Sequence, residues 1–361
     1  MEQIYALGIS CIEFIQEWFA DSEWYFELVN SLSNPNNITD ILFPVVCIFD
    51  SVFGSQLLLC TAFGGWFNCF AKWLLQEERP YWWVRETTFY DQMDRPYLRQ
   101  TAQTCETGPG SPSGHSTVAA STVLLLLMWT KHIMHDRKCY SFWWKYVMYP
   151  ASIFALGSVM LSRLYIATHF PHQCIIGAFI GCFLAPALCI YVSDPYIWRY
   201  GSHAHTDPGD TQRWHVGAAI ATMVISVLVY YGLGFAGYDP QWTIKLAFRW
   251  CEQPEHIHVS TTPIFALVQC TASLLGLAFS VTPAVARYRH DTKGRSLILS
   301  GFVTILIMYS CQYLLDNVCK SNTARFYSAH FVVAALKPMF LLRVAPSVAM
   351  WPYKSTKNKL Q

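Results

Sequence analysis

Residues 111–130, with the sequence SPSGHSTVAASTVLLLLMWT, join a loop that contains proline and glycine to an apolar run of membrane-spanning length. The loop, which begins at Gly108, cannot be regular helix, whereas the residues after Gly114 strongly favour one. Main-chain N–H groups point out of such a helix start and carry the positive end of its dipole, so the junction can bind an anion. The alternative is a loop that simply ends a span, with His115 as a polar interfacial residue.

The whole chain has the composition of a membrane protein. Of its 361 residues, 53% are hydrophobic and only 13% are charged, whereas soluble domains have about 25% charged residues. The apolar blocks predict an all-α polytopic membrane fold with about nine transmembrane helices. Because we find no internal repeat or long linker, we expect residues 1–361 to form a single membrane-embedded domain. The predicted spans lie near residues 24–47 (interrupted by Asn34 to Asn37), 54–76, 115–134, 146–163, 170–193, 215–236, 262–284, 297–315 and 327–350.

Basic residues in the connections predict the orientation, because Lys and Arg are enriched in cytoplasmic loops. Three clusters fall on one side of the predicted membrane. We therefore expect a lumenal N-terminus, lumenal loops at residues 77–113 and 237–261, and a cytosolic C-terminus with a tail at residues 352–361. The loop at 77–113 does not follow this rule, since it is predicted to be lumenal and yet contains four arginines. The three clusters are Lys131, Arg137, Lys138 and Lys145, then Arg287, Arg289, Lys293 and Arg295, and finally Lys354, Lys357 and Lys359.

Four residues suited to phosphoryl chemistry are predicted to reach the same non-cytosolic face. Arg79 follows the second span and Arg163 ends the fourth, while His115 begins the third span and His169 precedes the fifth. A guanidinium binds phosphate through two N–H donors, one imidazole can attack phosphorus, and another can protonate the leaving oxygen. The arrangement indicates removal of a phosphoryl group without a metal, with His169 as nucleophile and His115 as general acid.

Other basic residues leave alternatives open. Lys72 lies roughly 10 Å before Arg79 along a helix, so its ammonium either reaches the same anion or snorkels to lipid headgroups. His169 and His172 form an HxxH pair, but catalytic zinc usually has three protein ligands and no third joins this pair in sequence. We therefore expect no metal and no other cofactor. No basic stripe with interleaved aromatic residues is present, which argues against nucleic acid as a partner.

Three short motifs are similar to the signature of a known superfamily. They are Lys72-x6-Arg79-Pro80, Pro112-Ser113-Gly114-His115 and Ser162-Arg163-x5-His169, and they resemble those of type 2 phosphatidic acid phosphatases and vanadium haloperoxidases. Longer strings resemble the glucose-6-phosphatase branch of that superfamily, and the similarity runs through most of the chain. The strings are RPYWWV at residues 79–84, TCETGPGSPSGH at 104–115, SRLYIATHFPHQ at 162–173 and RWCEQPEHIHVSTTP at 249–263.

The resemblance implies roles for the motif residues. It implies that His169 is the nucleophile, that His115 is the general acid, and that phosphate is bound by Lys72, Arg79, Arg163, Ser113 and the Gly114 amide. It also implies hydrolysis of glucose 6-phosphate through a phosphohistidine, at the lumenal face of the endoplasmic reticulum membrane and in functional coupling with a glucose-6-phosphate transporter. A lipid phosphate phosphatase with the same chemistry is the nearest alternative. A transporter that binds phosphate without cleaving it is a more distant one.

One position departs from the superfamily pattern. The superfamily has Asp four residues after the nucleophilic His, where this sequence has Gln173. The glucose-6-phosphatase branch resembles this sequence in carrying Gln there. Either Gln173 orients His169 less strongly than a carboxylate would, or a carboxylate from elsewhere in the chain does so.

Two residues next to the motifs are candidate substrate contacts. Glu106 can accept a hydrogen bond from a sugar hydroxyl, and Trp82 can provide an aromatic platform for a sugar ring. For each, the alternative is an ordinary surface role, as a solvated acid or as an aromatic residue at the membrane interface.

The remaining features concern the cellular compartment. Cys105 and Cys251 both fall in predicted lumenal loops, where an oxidising environment allows a disulfide, although the sequence does not establish the pairing. The glycosylation sequon at Asn37 lies in or beside the interrupted first span, so we do not expect it to be used. Lys357 and Lys359 resemble a dilysine retrieval signal for the endoplasmic reticulum, or form an ordinary basic tail.

Overall fold

The structure is a computed structural model and describes residues 1–134, 140–198, 208–257, 259–281, 296–319 and 321–350. Within these ranges the regular structure is helical and contains no β-strand, which confirms the predicted all-α class. The helices are α1 (Glu2–Trp18), α2 (Glu23–Leu32), α3 (Pro35–Phe49), α4 (Ser51–Leu75), α5 (Pro80–Glu86), α6 (Gly114–Met134), α7 (Trp144–Tyr165), α8 (Pro171–Ile197), α9 (Pro208–Phe235), α10 (Trp242–Trp250), α11 (Pro263–Ser280), α12 (Leu297–Asp316) and α13 (Thr323–Ala349).

Seven helices within the described ranges are long and apolar enough to cross a membrane, namely α6, α7, α8, α9, α11, α12 and α13. They coincide with the third to ninth predicted spans, so the protein is a multi-pass membrane protein. The expected count of about nine is not confirmed. Most of the basic residues that predicted the orientation lie outside the described residues, as does the tail at 352–361. The lumenal N-terminus and the cytosolic C-terminus therefore stay predictions.

The first two predicted spans differ from the other seven for separate reasons. The first is split, because α2 ends at Leu32 and α3 begins at Pro35, whose missing N–H cannot continue a preceding helix. The second is a continuous helix of 25 residues, α4. Polar residues such as Asn68 and Lys72 interrupt its apolar sequence, and it is not among the seven.

The chain divides into two compact units. The first comprises Met1–Pro35, Gly64–Leu184 and Ser226–Ala266, and the second Asn36–Phe63, Ala185–Ile225 and Leu267–Gln361. In the first unit α7 packs against α1, α2 and α6, while α5 packs against α1 and α10. In the second unit α12 packs against α3 and α13. All the residues predicted to handle phosphate belong to the first unit.

Two glycines allow α8 to approach α6 closely. A Cβ atom on Gly181 would lie 2.2 Å from the carbonyl oxygen of Thr117, and one on Gly177 would lie 2.5 Å from that of Ser113. Small residues four positions apart are a common means by which membrane helices come into close contact. The Ser113 N–H also donates to the Gln173 carbonyl at 3.1 Å. The start of α6 is therefore held beside the first turn of α8.

The short helix α5 is part of an aromatic core. Tyr5 of α1 stacks on Phe170 with ring centroids 4.5 Å apart, and Trp83 of α5 meets Phe170 edge to face at 6.0 Å. Each such pair contributes about 0.5–1.5 kcal/mol beyond the burial of its area. The core thus fixes α5 relative to the segment that precedes α8. Its buried members are Tyr5, Ile9, Ile12, Tyr81, Trp82, Trp83, Val84, Leu98, Ala167 and Phe170.

A disulfide joins Cys105 and Cys251, whose Cα atoms are 5.7 Å apart. The pairing that the sequence left open is thus present. It connects the loop before α6 to the end of α10 across a sequence separation of 146 residues. The Thr107 hydroxyl lies 3.0 Å from the Thr261 hydroxyl, so the same two loops meet at a second point.

Candidate active site

Arg79 lies at the junction of α4 and α5 and is almost completely buried. Its main chain is extended, and Pro80 occupies the start of α5, where a missing N–H costs nothing and the fixed φ suits a helix. The Arg79 Nε donates to the Gly108 carbonyl at 2.6 Å, and Nη1 donates to the Thr168 carbonyl at 3.1 Å. The guanidinium is therefore held between the loop before α6 and the loop before α8.

Arg163, in the last turn of α7, is the second buried guanidinium. Its Nη1 donates to Asn30 Oδ1, and its Nη2 donates to the Glu106 carboxylate. The Nε is buried and has no hydrogen-bond partner among the described residues. Because an unpaired buried N–H is costly, this donor is available to an anion that binds beside it.

The carboxylate of Glu106 lies among four basic side chains. Its Oε2 is 2.9 Å from Arg79 Nη1 and 4.0 Å from His169 Nε2. Its Oε1 contacts Arg163 and is 3.8 Å from His115 Nδ1. Burial alone raises the pKa of a carboxyl group, but the Arg163 and Arg79 guanidinium groups hold the pKa of Glu106 well below its usual range. The basic groups predicted from separate motifs thus converge on one anion.

A left-handed turn places His169 between α7 and α8. Ala167 has φ of 53°, a region that residues other than glycine rarely adopt. The turn caps α7, because the Thr168 N–H donates to the Arg163 carbonyl at 3.2 Å and the His169 N–H lies 3.4 Å from the same oxygen. The segment that carries His169 is therefore tied to the residue that carries the second guanidinium.

Hydrogen bonds to Gln173 determine which nitrogen of His169 carries the proton. The Gln173 Nε2 donates to the Glu77 carboxylate at 3.0 Å and to the Glu78 carbonyl at 2.9 Å. The Oε1 therefore faces His169 Nδ1, at 3.3 Å, and Nδ1 must be the protonated nitrogen. The His169 Nε2, 3.4 Å from Arg79 Nη1, keeps its lone pair. Burial and the nearby guanidinium groups lower the pKa of His169 well below its usual range, so the ring is neutral at neutral pH.

His115 lies in the first turn of α6 and is also buried. Its Nδ1 is 3.8 Å from Glu106. Its Nε2 is buried and makes no hydrogen bond to the part of the chain that the structure describes. An imidazole nitrogen without a fixed partner can exchange a proton with a group that binds beside it.

The other predicted phosphate-binding residues lie around the same loop. Lys72 is buried rather than snorkelling, and its Nζ donates to the Pro109 carbonyl at 2.5 Å. The Ser116 hydroxyl donates to the Ser113 hydroxyl at 3.1 Å, and Gly114 begins α6. Contact of these groups with phosphate stays a prediction.

Trp82 is fully buried in the aromatic core. Its indole Nε1 donates to the Glu78 carboxylate, and the centre of its ring is 6.0 Å from Arg79 Cζ. This distance is at the limit for a cation–π contact, so Trp82 supports the position of Arg79. Contact with a sugar stays a prediction.

Comparisons with known proteins decide the family. Residues 53–196, which include the predicted catalytic and phosphate-binding residues, match the PAP2 superfamily. The chain is 34% identical over 382 residues to glucose-6-phosphatase 2 of Homo sapiens, with 99% of each chain covered. It is 31% identical over 360 residues to glucose-6-phosphatase catalytic subunit 1 of Mus musculus, with 98% of this chain and 95% of that one covered. The chain belongs to the glucose-6-phosphatase family. No solved structure matches it significantly.

Membership of the glucose-6-phosphatase family confirms the resemblance drawn from the motifs. The sequence prediction did not name Asn30 or Glu77, which bind site groups, and it considered His172 only as a candidate metal ligand. Asn30 contacts Arg163 from α2. It lies within the interrupted first span and in no sequence motif, so no signal in the sequence pointed to it. Glu77 lies inside the first motif and is 2.8 Å from His172 Nε2. The glutamine at position 173 was the signal that a carboxylate from elsewhere could take part.

Proposed function

We propose that this protein is a membrane-bound phosphoric monoester hydrolase that converts glucose 6-phosphate to glucose and inorganic phosphate through a phosphohistidine at His169. The relatives supply the substrate, since they are named glucose-6-phosphatases. The observation that carries the chemistry is the convergence of two guanidinium groups and two imidazoles on Glu106. Phosphoryl transfer to histidine requires the same set of groups around phosphorus.

Binding of the phosphoryl group replaces Glu106 as the partner of Arg79 and Arg163. A phosphate monoester offers three non-bridging oxygens and more negative charge than one carboxylate, so it gains more from two guanidinium forks. The Nε of Arg163 supplies a further donor. Glu106, once displaced, is near enough to accept a hydrogen bond from a sugar hydroxyl.

The loop before α6 completes the phosphate site. Lys72 lies under this loop through its bond to Pro109, and its ammonium adds a third positive charge. The Gly114 N–H lies at the start of α6, where the helix dipole favours an anion. The Ser113 hydroxyl is in the same turn and donates a hydrogen bond to a phosphate oxygen.

In the first chemical step, His169 Nε2 attacks phosphorus while the bond from phosphorus to the sugar oxygen breaks. The lone pair on Nε2 is available because the proton is on Nδ1, bonded to Gln173. Arg79 and Arg163 stabilise the five-coordinate transition state by fixed positive charge, which is usually the largest single contribution. His115 gives its proton to the departing oxygen, so glucose leaves as a neutral alcohol.

In the second step, water attacks phosphorus and His115 removes a proton from it. The bond between Nε2 and phosphorus breaks, and its electron pair returns to the imidazole. The products are inorganic phosphate, neutral His169 and protonated His115, which is the starting state. The same imidazole thus acts as acid and then as base.

We also infer that the site faces the lumen of the endoplasmic reticulum. The predicted orientation puts the loops at 77–113 and 237–261 in the lumen, and the disulfide between Cys105 and Cys251, which joins them, suits an oxidising compartment. About nine spans, with a lumenal N-terminus and a cytosolic C-terminus, fit this orientation. A lumenal site needs substrate carried across the membrane, which supports functional coupling to a glucose-6-phosphate transporter.

Trapping of the intermediate tests the reaction and the nucleophile together. Purified protein in detergent is mixed with glucose 6-phosphate labelled at phosphorus and is quenched by denaturation in alkali. We expect a phosphoprotein that is stable to alkali and labile to acid, because phosphohistidine has this behaviour. His169→Ala should form none, whereas the control His256→Ala, in the loop after α10, should form as much as the wild type.

Two outcomes would contradict the proposal. Release of labelled phosphate without a phosphoprotein, or equal labelling of His169→Ala, would remove the assigned nucleophile. The same preparation is also given labelled phosphatidate in mixed micelles. Faster turnover of phosphatidate than of glucose 6-phosphate would make the protein a lipid phosphate phosphatase.

A further inference from the structure

A carboxylate lies behind His169, on the side of its Nδ1 nitrogen. Gln173 accepts a hydrogen bond from His169 Nδ1 at 3.3 Å and donates one to the Oε2 of Glu77 at 3.0 Å. The Nε2 of His172 is 2.8 Å from the same Glu77 oxygen. The side chains therefore form a continuous chain of hydrogen bonds from His169 through Gln173 and Glu77 to His172.

The turn between α4 and α5 brings charges of opposite sign to the two nitrogens of His169. Gln76 has φ of 48°, a left-handed conformation that changes the chain direction after α4. The Glu77 carbonyl accepts the Gly110 N–H at 2.7 Å, which ties the turn to the loop before α6. Two residues later, Arg79 Nη1 lies 3.4 Å from the attacking nitrogen. One short segment thus supplies a cation on one side of the ring and a carboxylate on the other.

Glu77 is placed to be ionised. Its side chain is only 14% exposed, and burial by itself raises the pKa of a carboxyl group. The hydrogen bonds from His172 and Gln173 outweigh that effect and leave the pKa of Glu77 below its usual value. A partly buried carboxylate with two hydrogen-bond partners is therefore separated from the imidazole by one amide.

We propose that Glu77 is the positioning carboxylate for His169, acting through the Gln173 amide in place of the superfamily Asp. A carboxylate that accepts an amide N–H strengthens the amide oxygen as an acceptor, because hydrogen bonds in a chain polarise one another. The effect grows when the phosphohistidine forms, since the ring is then positively charged. This role rests on the proposed phosphohistidine mechanism, and Glu77 itself does not touch the substrate.

Exchange of charge between side chains of equal size tests the proposal. Glu77→Gln removes the charge and keeps the shape. Gln173→Glu places a second carboxylate where the two side chains are 3.0 Å apart. The double variant Glu77→Gln with Gln173→Glu moves the single charge to position 173, where it accepts the Nδ1 proton directly. For each purified variant, kcat, KM and phosphoenzyme formation are measured with glucose 6-phosphate.

We expect Glu77→Gln to lower kcat about tenfold with little change in KM, as for loss of an outer partner of a working imidazole. Gln173→Glu should lower kcat at least as much, because adjacent carboxylates repel each other. The double variant should be several-fold more active than Gln173→Glu, as expected for coupled partners, but it should stay below the wild type because a carboxylate at position 173 cannot donate to the Glu78 carbonyl. Lost packing would not be restored by a second substitution. The matched control is Glu86→Gln, whose carboxylate pairs with Arg249 at 3.0 Å, and its kcat should stay within about twofold of the wild type.

A wild-type kcat in Glu77→Gln, or a double variant no more active than Gln173→Glu, would overturn the proposal. If Glu77→Gln does not accumulate as folded protein, the comparison of Gln173→Glu with the double variant decides the matter alone. A wild type that forms no phosphoenzyme would remove the proposed function and this inference with it. A wild type that forms it, together with a fully active Glu77→Gln, would remove the inference only.

Discussion

The two histidines of the site lie near the starts of α6 and α8, yet their surroundings differ. His169 has a contact on each nitrogen, with Gln173 on Nδ1 at 3.3 Å and Arg79 beside Nε2 at 3.4 Å. Among the described residues, the contact of His115 Nδ1 is the more distant Glu106, at 3.8 Å. Its buried Nε2 bonds to none of the described residues. The ring of His169 is therefore held by contacts on both nitrogens, whereas the Nε2 of His115 has no hydrogen-bond partner among the described residues.

This difference fits two chemical roles. A nucleophile must hold its lone pair in line with phosphorus, and contacts on both nitrogens fix the ring. A general acid must serve the leaving oxygen first and the attacking water later, so a permanent partner on its donor nitrogen would hinder it. The surroundings of the two rings thus assign roles that the residue type alone leaves open.

The largest expected effect comes from replacing each histidine and changing the leaving group. His169→Asn should lower hydrolysis of glucose 6-phosphate and of 4-nitrophenyl phosphate alike, by more than about 10⁴-fold. His115→Asn should lower glucose 6-phosphate hydrolysis by roughly 10²–10⁴-fold. In the first turnover it should retain far more of its rate on 4-nitrophenyl phosphate, because nitrophenolate leaves without protonation. Rapid-quench measurements of the first turnover with both substrates measure the difference.

The first turnover separates the two steps in His115→Asn. If His115 also activates water, this variant should release one burst of nitrophenolate and then stall as the phosphoenzyme. Equal losses of the first-turnover rate on both substrates would instead mean that His115 only helps to bind phosphate, and the difference between the two rings would not reflect different chemical roles.

A smaller effect is expected at Glu106, the anion that both histidines face. Glu106→Gln keeps the shape and removes the negative charge between Arg79 and Arg163. Inorganic phosphate should then inhibit about tenfold more strongly, since it no longer displaces a charged partner from buried cations. The kcat for glucose 6-phosphate should fall, because product leaves more slowly. Inhibition constants for phosphate and steady-state kcat provide the readout.

Glu86→Gln is the control for loss of one carboxylate near α5. Glu86 pairs with Arg249 at 3.0 Å, at a more exposed position, so phosphate inhibition should not change. Weaker inhibition by phosphate in Glu106→Gln would show that the carboxylate assists phosphate binding rather than competing with it.

The sequence was sufficient for features that depend on short stretches. An apolar block of about twenty residues specifies a membrane helix by itself, and seven such blocks are helices in the structure. Arg79, His115, Arg163 and His169 could be found because each lies in a short motif at a helix end. The break in the first predicted span has a local cause as well, since the chain is divided before Pro35.

Features that depend on the meeting of distant segments could not be predicted in the same way. Glu106 was an uncertain substrate contact, because nothing in its neighbours shows that its loop returns between two buried arginines. Asn30 reaches Arg163 from a helix 133 residues away along the chain. The pairing of Cys105 with Cys251 could not be decided from the sequence, because the distances and angles that a disulfide needs can only be read from coordinates. Glu77 was overlooked because the motif that contains it specifies only a spacing.

The smallest expected effect concerns the turn that aims His169. Ala167 has φ of 53°, where a residue with a Cβ atom is strained by about 1 kcal/mol relative to glycine. Ala167→Gly should therefore raise the free energy of unfolding by less than about 1 kcal/mol, because the gain is reduced by loss of the buried Ala167 Cβ from the aromatic core and by the greater freedom of glycine in the unfolded chain. Activity should change by less than about threefold, because the turn keeps its shape. Thermal unfolding in detergent measures the change in stability, and kcat measures the change in activity.

Ala120→Gly is the matched control, because Ala120 is equally buried but lies inside the regular helix α6. There the same substitution should lower the free energy of unfolding by about 1 kcal/mol. Changes of opposite sign in the free energy of unfolding would show that the backbone is strained in the left-handed turn before His169 and unstrained in the helix that carries His115. Equal losses at both sites would mean that Ala167 is unstrained, and that the fixed orientation of His169 comes from Gln173 and Arg79 alone.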